Sequence, residues 1–237
     1  MFIRILTSGL LAGAAAGLVA ALMQFFFVQP VLLHAELYES GQLLHFGPEP
    51  RPSAHQDVGG FDPRRDGLSV LFTMLIYTGY AIVVIALMSL AELRGAQVNG
   101  RTGLIWGAAG FLVVHLAPGF GLAPELPGAA AGDLTTRQVW WVGTVLATGI
   151  AVWLIAFTRS WFGLGAAVAL LLTPHLIGAP EPDSFQSPAP SELGALFVAR
   201  AYGAGLAAWV VAGSLAGFFW SRAAEGTGQT ADRKSAH

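Results

Sequence analysis

The stretch ILTSGLLAGAAAGLVAALMQFFFV occupies residues 5–28 and carries no charged side chain over its 24 positions. A helix needs about 20 apolar residues to cross the hydrocarbon core of a bilayer. Because this stretch is long enough and Pro30 follows it, it predicts a first transmembrane helix. A cleaved signal peptide is the alternative, but such a peptide has an apolar region of only about 7–15 residues and a small-residue cleavage site. No such site follows Phe25–Pro30, and we expect the segment to be retained.

Five more apolar runs follow the first one along the chain. The six predicted spans are 5–28, 68–91, 103–117, 139–158, 161–177 and 193–220. The third and fifth are short and interrupted by Pro118 and Pro174, so a count of five is also compatible with the pattern. The chain is 54% hydrophobic and 11% charged, whereas soluble domains carry about 25% charged residues. We therefore predict an all-α integral membrane protein, with a membrane domain over 1–222 and a polar tail over 223–237.

The distribution of charge predicts the orientation. With the N-terminus inside, seven Lys and Arg residues lie inside and four lie in outer loops, as the positive-inside rule requires. This predicts an N-in, C-in topology with a long outer loop over 29–67. The outer side then holds eleven of the fourteen acids: Glu36, Glu39, Glu49, Asp57, Asp62, Asp66, Glu125, Asp133, Glu181, Asp183 and Glu192. Such a surface attracts cations, although positive-inside bias alone also leaves acids outside.

The composition excludes several function classes. The chain has no cysteine, which excludes disulfides, thiolate metal sites and cysteine nucleophiles. Its net charge of −2 gives no indication of a nucleic-acid partner. The sequence has no Walker A loop, no Gly-x-Ser-x-Gly and no His-Glu-x-x-His. We expect neither an enzyme nor a bound cofactor.

Histidines and carboxylates at the predicted outer face form the candidate metal site. His115 and His175 lie in apolar runs near the membrane surface, where a polar side chain needs a partner and is functional by default. The predicted ligands are His34, Glu36, Glu39, His115, Glu125 and His175. Imidazole and carboxylate without thiolate suit divalent cobalt, nickel, zinc or manganese. His45 and His55, in the Pro/Gly-rich outer loop, are either solvated or additional ligands.

Four further residues are candidates for contact with the substrate: Tyr38, Arg137, Glu181 and Arg200. Tyr38 shares a helix face with His34 if the helix resumes after Pro30. Arg137 can pair with Asp133 or a lipid headgroup. Arg200 either extends to the outer interface or neutralises a glutamate beside the histidines. His237, at the last position, is predicted to be incidental.

Two segments near the third and fifth spans resemble each other. Residues 115–118 read HLAP and residues 174–180 read PHLIGAP, and each histidine follows a Gly/Ala-rich helix. An acidic segment follows each histidine, with Glu125 in the first case and Glu181 in the second. The similarity between the two segments predicts an internal repeat of helix pairs, an arrangement found in transporters.

The chain resembles the CbtA family of proposed cobalt transporter subunits. The segments that carry the resemblance are AELYE at 35–39, GLIWGAAGF at 103–111, HLAP at 115–118, PELPG at 124–128, RQVWW at 137–141 and PHLIGAP at 174–180, together with the Gly/Ala-rich first span. They occur in order over nearly the whole chain, apart from the loop near 45–57 and the C-terminal tail.

The resemblance implies a bacterial inner-membrane permease that takes up cobalt for cobalamin synthesis. It also implies a partner, the small single-span histidine-bearing subunit CbtB, and the family is often described with five spans. Transport of a divalent cation is therefore the leading hypothesis, with cobalt favoured, nickel or zinc as alternatives and the oligomeric state left open. The alternative is a membrane scaffold or metal-sensing subunit that does not itself transport.

Overall fold

A computed structural model of the chain describes residues 1–45, 52–55 and 57–235, with side chains as far as residue 224. These residues form helices and turns and no strand. In chain order the α-helices are α1 (Phe2–Met23), α2 (Gln29–Glu39), α3 (Pro63–Glu92), α4 (Gly100–Phe111), α5 (Ala117–Gly119), α6 (Leu134–Phe157), α7 (Trp161–Ile177) and α8 (Ser191–Ser235). Two π-helical segments, Gln24–Val28 and Leu112–Leu116, connect α1 to α2 and α4 to α5.

The described helices confirm an all-α protein with five or six membrane spans. Five continuous helical segments are long and apolar enough to cross a membrane: Phe2–Glu39, Pro63–Glu92, Gly100–Gly119, Leu134–Phe157 and Ser191–Ala224. The sixth, α7, is apolar but only 17 residues long. The N-in, C-in orientation and the internal repeat remain predictions.

Helical structure continues beyond the predicted ends of the first and third spans, because the chain stays helical through both prolines. Each π-helical segment ends two residues before a proline, Pro30 in one case and Pro118 in the other. Proline lacks an N–H donor and its ring crowds the carbonyl four residues earlier, and a wider turn is one way to accommodate it. The predicted outer loop 29–67 is correspondingly shorter, because α2 covers its start and α3 covers its end.

The last helix also exceeds the prediction. Backbone helix continues from the predicted end at residue 220 to Ser235, through most of the predicted polar tail. The segment 221–235 contains no proline that would stop it. Three residues to which the sequence assigned a place, Glu49, Arg51 and His237, lie outside the described residues.

The chain divides into two compact units. The first contains Met1–Phe25, Phe61–Phe111 and the chain from Ala204 onward, and the second contains Phe26–Gly60 and Leu112–Gly203. In the first unit α1 packs along α3 through glycines. A Cβ added at Gly9 would lie 2.5 Å from the Ile82 side chain, and one at Gly17 would lie 2.5 Å from the Met74 Cα. Gly9, Gly13 and Gly17 lie four residues apart on one face of α1, and this glycine face allows close approach of a second helix.

Polar contacts join three helices of the first unit near the predicted inner surface. The Arg4 guanidinium donates to the Trp220 carbonyl at 2.6 Å and lies 3.6 Å from the centre of the Trp220 ring. The Trp220 indole donates in turn to Glu92 at 3.1 Å. A partly buried charge in a bilayer protein is tolerated when such partners stabilise it. The network therefore ties α1, α3 and α8 together.

The start of α3 is capped by its own carboxylates. Asp62 accepts hydrogen bonds from the backbone N–H groups of Arg64 and Arg65. Asp66 accepts from the Asp62 N–H at 2.8 Å and forms an ion pair with Arg65. The carboxylates at this end thus satisfy backbone donors that a helix start leaves open.

The second unit has its own apolar core. Its buried residues are Val31, Ala35, Tyr38, Leu126, Ala189 and Phe197. Two loops contribute to this core, the one before α6 and the one before α8. They are joined by a hydrogen bond from the Ala130 N–H to the Gln186 carbonyl at 2.8 Å. The acidic loop that follows His115 is therefore packed into the unit.

Candidate functional site

The first turn of α6 positions the Arg137 side chain. Asp133 caps the helix, because its carboxylate accepts from the Thr136 backbone N–H at 2.9 Å and from the Thr136 hydroxyl at 2.7 Å. Arg137 follows one residue later, and its backbone N–H donates to the Asp133 carbonyl. The cap fixes the start of the helix and thereby the origin of the Arg137 side chain.

These hydrogen bonds from Thr136 hold the pKa of Asp133 below its ordinary value of 3.8. Since the pKa is lowered in the folded state, the capping contribution is fully present above pH 3.8 and is lost as the pH falls through the lowered folded value. We expect amide exchange at Thr136 to accelerate over that acidic range in the native chain. In Asp133→Ala it should be fast at every pH, as measured by hydrogen–deuterium exchange. A native-like protection of Thr136 in the variant would contradict the capping role.

A cleft of about 690 Å³ opens beside this turn, within the second unit. Its lining residues are Val114, His115, Pro118, Gly119, Leu122, Ala123, Pro124, Glu125, Leu134, Arg137, Gln138, Trp141, Val142 and Tyr202. The volume lies in the range of small-molecule sites, and a mainly apolar wall with a few polar groups is typical of such sites. Three residues that the sequence predicted, His115, Glu125 and Arg137, line this one cleft.

Arg137 and Glu125 form an ion pair in the lining of the cleft. The Arg137 Nη2 lies 2.8 Å from the Glu125 Oε2. The Arg137 side chain is 22% exposed and that of Glu125 is 36% exposed, so the pair borders solvent. Of the two partners that the sequence left open for Arg137, Asp133 is not the one observed, because its carboxylate caps α6 and Glu125 pairs with the guanidinium. Contact between Arg137 and a lipid headgroup stays a prediction.

His115 reaches the cleft from a π-helical segment. It is the fourth residue of Leu112–Leu116, and Pro118 follows shortly after. A π turn widens the helix locally and is found frequently at functional sites. The sequence identified His115 by its apolar surroundings, but the turn that holds it was not predicted.

His34 and Tyr38 lie one helical turn apart in α2, as predicted, with ring centres 5.6 Å apart. His34 is only 8% exposed, and its Nε2 has no hydrogen-bond partner among the described residues. Tyr38 belongs to the apolar core of the second unit. Neither residue lines the cleft.

His175 is held by aromatic rings. Its imidazole packs against Phe120 and Trp140, each with its ring centre 6.1 Å away. The Trp140 indole donates to the Pro174 carbonyl at 3.1 Å. The two adjacent tryptophans of α6 therefore have different surroundings, since Trp140 contacts the end of α7 and Trp141 lines the cleft. His175 does not line the cleft.

The remaining predicted residues lie apart from the cleft. Glu36, Glu39 and Glu181 are exposed. The Glu39 side chain packs near Gly128, and the Glu181 backbone packs near Gly132. Arg200 donates to the carbonyl of Phe27, in the first π-helical segment, at 3.2 Å. Both roles that the sequence left open for Arg200 stay predictions.

Within the described part of the chain, no three His, Asp or Glu side chains lie close enough together to hold a metal ion. The six predicted ligands are therefore not assembled as one set. Sequence reasoning missed Gln138, Trp141 and Tyr202 as cleft residues. Trp141 lies four positions after Arg137, so helical spacing could have indicated it. Gln138 directly follows Arg137, and that spacing gives no such indication. Nothing in the sequence links the distant Tyr202 to this place.

Comparison with known proteins gives one match. The family model described as "Probable cobalt transporter subunit (CbtA)" matches residues 2–221, nearly the whole chain. The matched range contains every residue of the cleft. No curated protein and no solved structure matches the chain.

Proposed function

Because the chain belongs to the CbtA family of probable cobalt transporter subunits, we propose that it carries a divalent transition-metal cation, cobalt first, across a membrane. The family description supports a transporter rather than an enzyme, and the five or six apolar helices make it a multi-pass membrane protein.

The cleft that brings His115 and Glu125 together carries the proposal. One neutral imidazole and one carboxylate are ligands that cobalt, nickel and zinc share. Their common cleft adjoins the acidic loop that packs against the loop before α8, and the predicted outer side is rich in carboxylates. Cations would gather at that surface by electrostatic attraction and enter the cleft. His34, Glu36, Glu39 and His175 are proposed as outer capture or transfer positions rather than as members of the same ligand set.

A partner is proposed to complete the site. The family description names a subunit, which indicates a larger transporter. Two protein ligands leave several coordination positions of a divalent cobalt ion to water or to another chain. A small single-span subunit that carries histidines, of the CbtB kind, has the right chemistry. The proposed location is the inner membrane of a bacterium, with uptake supplying cobalamin synthesis.

The test is radioactive cobalt uptake into proteoliposomes, with the full chain alone and together with the small subunit. We expect accumulation above protein-free vesicles, reduced by an excess of nickel because nickel accepts the same ligands. If the vesicles bind cobalt at the protein but accumulate none under either condition, the chain is a scaffold or sensor and the transport proposal is wrong.

A further inference from the structure

The Glu125 carboxylate, proposed above as a cation ligand, already has a cationic partner. Arg137 lies 2.8 Å from it, and both side chains line the same cleft as His115. An ion that binds Glu125 must share or replace this guanidinium. We infer that Arg137 is a tethered competitor, which occupies the carboxylate in the empty protein and is displaced by the incoming divalent cation. This inference rests on the proposed function and adds a selectivity device to it.

The exposure of the pair makes displacement feasible. Arg137 and Glu125 are 22% and 36% exposed, and ion pairs that border solvent are weak because water screens both charges. A guanidinium released from such a pair remains solvated. A buried pair would hold the carboxylate far more tightly, since an unpaired buried charge is strongly unfavourable. The ion pair is therefore strong enough for Arg137 to occupy Glu125 in the empty protein and weak enough for a divalent cation to replace Arg137.

The same arrangement discriminates between ions. A divalent ion attracts the carboxylate with twice the charge of sodium or potassium at the same distance. It also binds the imidazole of His115, for which alkali ions have little affinity. Sodium and potassium therefore lack both advantages over a guanidinium that is permanently charged and held at the carboxylate. Arg137 would exclude these abundant ions without preventing the entry of cobalt.

The flanking groups fit this role. Asp133, the other carboxylate near the first turn of α6, is engaged with Thr136 and does not form an ion pair with Arg137 in the described part of the chain. Glu125 comes from the loop that Leu126 anchors in the apolar core. Both members of the pair thus start from fixed backbone, and the ion exchange needs only side-chain movement.

The experiment measures cobalt binding to the purified full chain in lipid nanodiscs, by titration calorimetry with the metal alone. Arg137→Gln should lower the apparent Kd for cobalt about three- to tenfold, because it removes a weak competitor and a repelling charge. Glu125→Gln and the double variant Glu125→Gln/Arg137→Gln should both bind cobalt weakly. This result would show that Arg137 acts through the Glu125 carboxylate. Arg64→Gln, the same charge change at an exposed position of α3, should leave the Kd unchanged.

A second readout separates competition from a structural role. Raising sodium chloride should weaken cobalt binding more in Arg137→Gln than in the native chain or in Arg137→Lys, which keeps the charge. An unchanged or higher Kd in Arg137→Gln, with native cobalt binding and flux intact, would overturn the inference and leave the proposed function standing. If neither the native chain nor any variant binds or transports cobalt, the proposed function fails and the inference fails with it.

Discussion

Replacing His115 by alanine is expected to lower the initial rate of cobalt uptake by about 100-fold or more. The imidazole is the proposed nitrogen ligand, and it lines the same cleft as Glu125. Loss of groups that only orient a metal ligand already costs about 10–100-fold in affinity or activity, and loss of a ligand itself should cost at least as much. The measurement is radioactive cobalt uptake into proteoliposomes, normalised to the amount of correctly inserted protein.

The matched control is Leu112→Ala. Leu112 belongs to the same π-helical segment, is 36% exposed and does not line the cleft. It therefore tests whether shortening a side chain in this segment disturbs the helix. The control should retain near-native uptake. Uptake at the native rate in a well-inserted His115→Ala protein would remove His115 from the site.

His175→Ala provides an informative comparison. The sequence placed both histidines in one ligand set, whereas the structure seats His175 against Phe120 and Trp140 and outside the cleft. We expect this variant to lose less uptake than His115→Ala, and the double variant to resemble His115→Ala. Equal losses in the two single variants would instead support a shared site that forms when the cation is present.

Much of the fold was predictable because a bilayer imposes its requirements directly on the sequence. Runs of about 20 uncharged residues, the Asp62 cap and the glycine face of α1 each follow from local pattern. The continuation of helical structure through Pro30 and Pro118 was not predictable in this way. Neighbouring helices decide whether a proline stops a membrane helix or is absorbed by a wider turn, and those neighbours are distant in sequence.

The candidate site was predictable in its residue types rather than in its assembly. His115 was recognised as a polar residue in an apolar run, and Glu125 as one of many outer acids. The pairing of Glu125 with Arg137 depends on how the loop 120–133 folds back to α6, for which the sequence gives no register. The position of His175 outside the cleft was unpredictable for the same reason. It depends on helix packing, which places His175 against Trp140 and places His115 in the cleft with Trp141.

Replacing Gly13 by leucine is expected to have the largest effect on folding. A Cβ at Gly13 would overlap the backbone of Thr78 in α3, so a larger side chain forces the two helices apart. Overpacking costs about 1–3 kcal/mol and occasionally more, and we expect about 3 kcal/mol here because backbone rather than a flexible side chain must move. A low yield of monodisperse protein after detergent extraction and a lowered thermal midpoint are the measurements.

Gly79→Leu is the control for this effect. Gly79 lies in α3, is exposed, and a Cβ added there would have nothing within 4 Å. Leucine at that position should be tolerated, since apolar side chains on exposed faces of a membrane helix meet lipid. Gly13→Ala adds only the overlapping methyl group and should fall between the native chain and Gly13→Leu. Equal stability of Gly13→Leu and Gly79→Leu would show that α1 and α3 are not in close contact in the membrane, and the fold described for the first unit would be wrong.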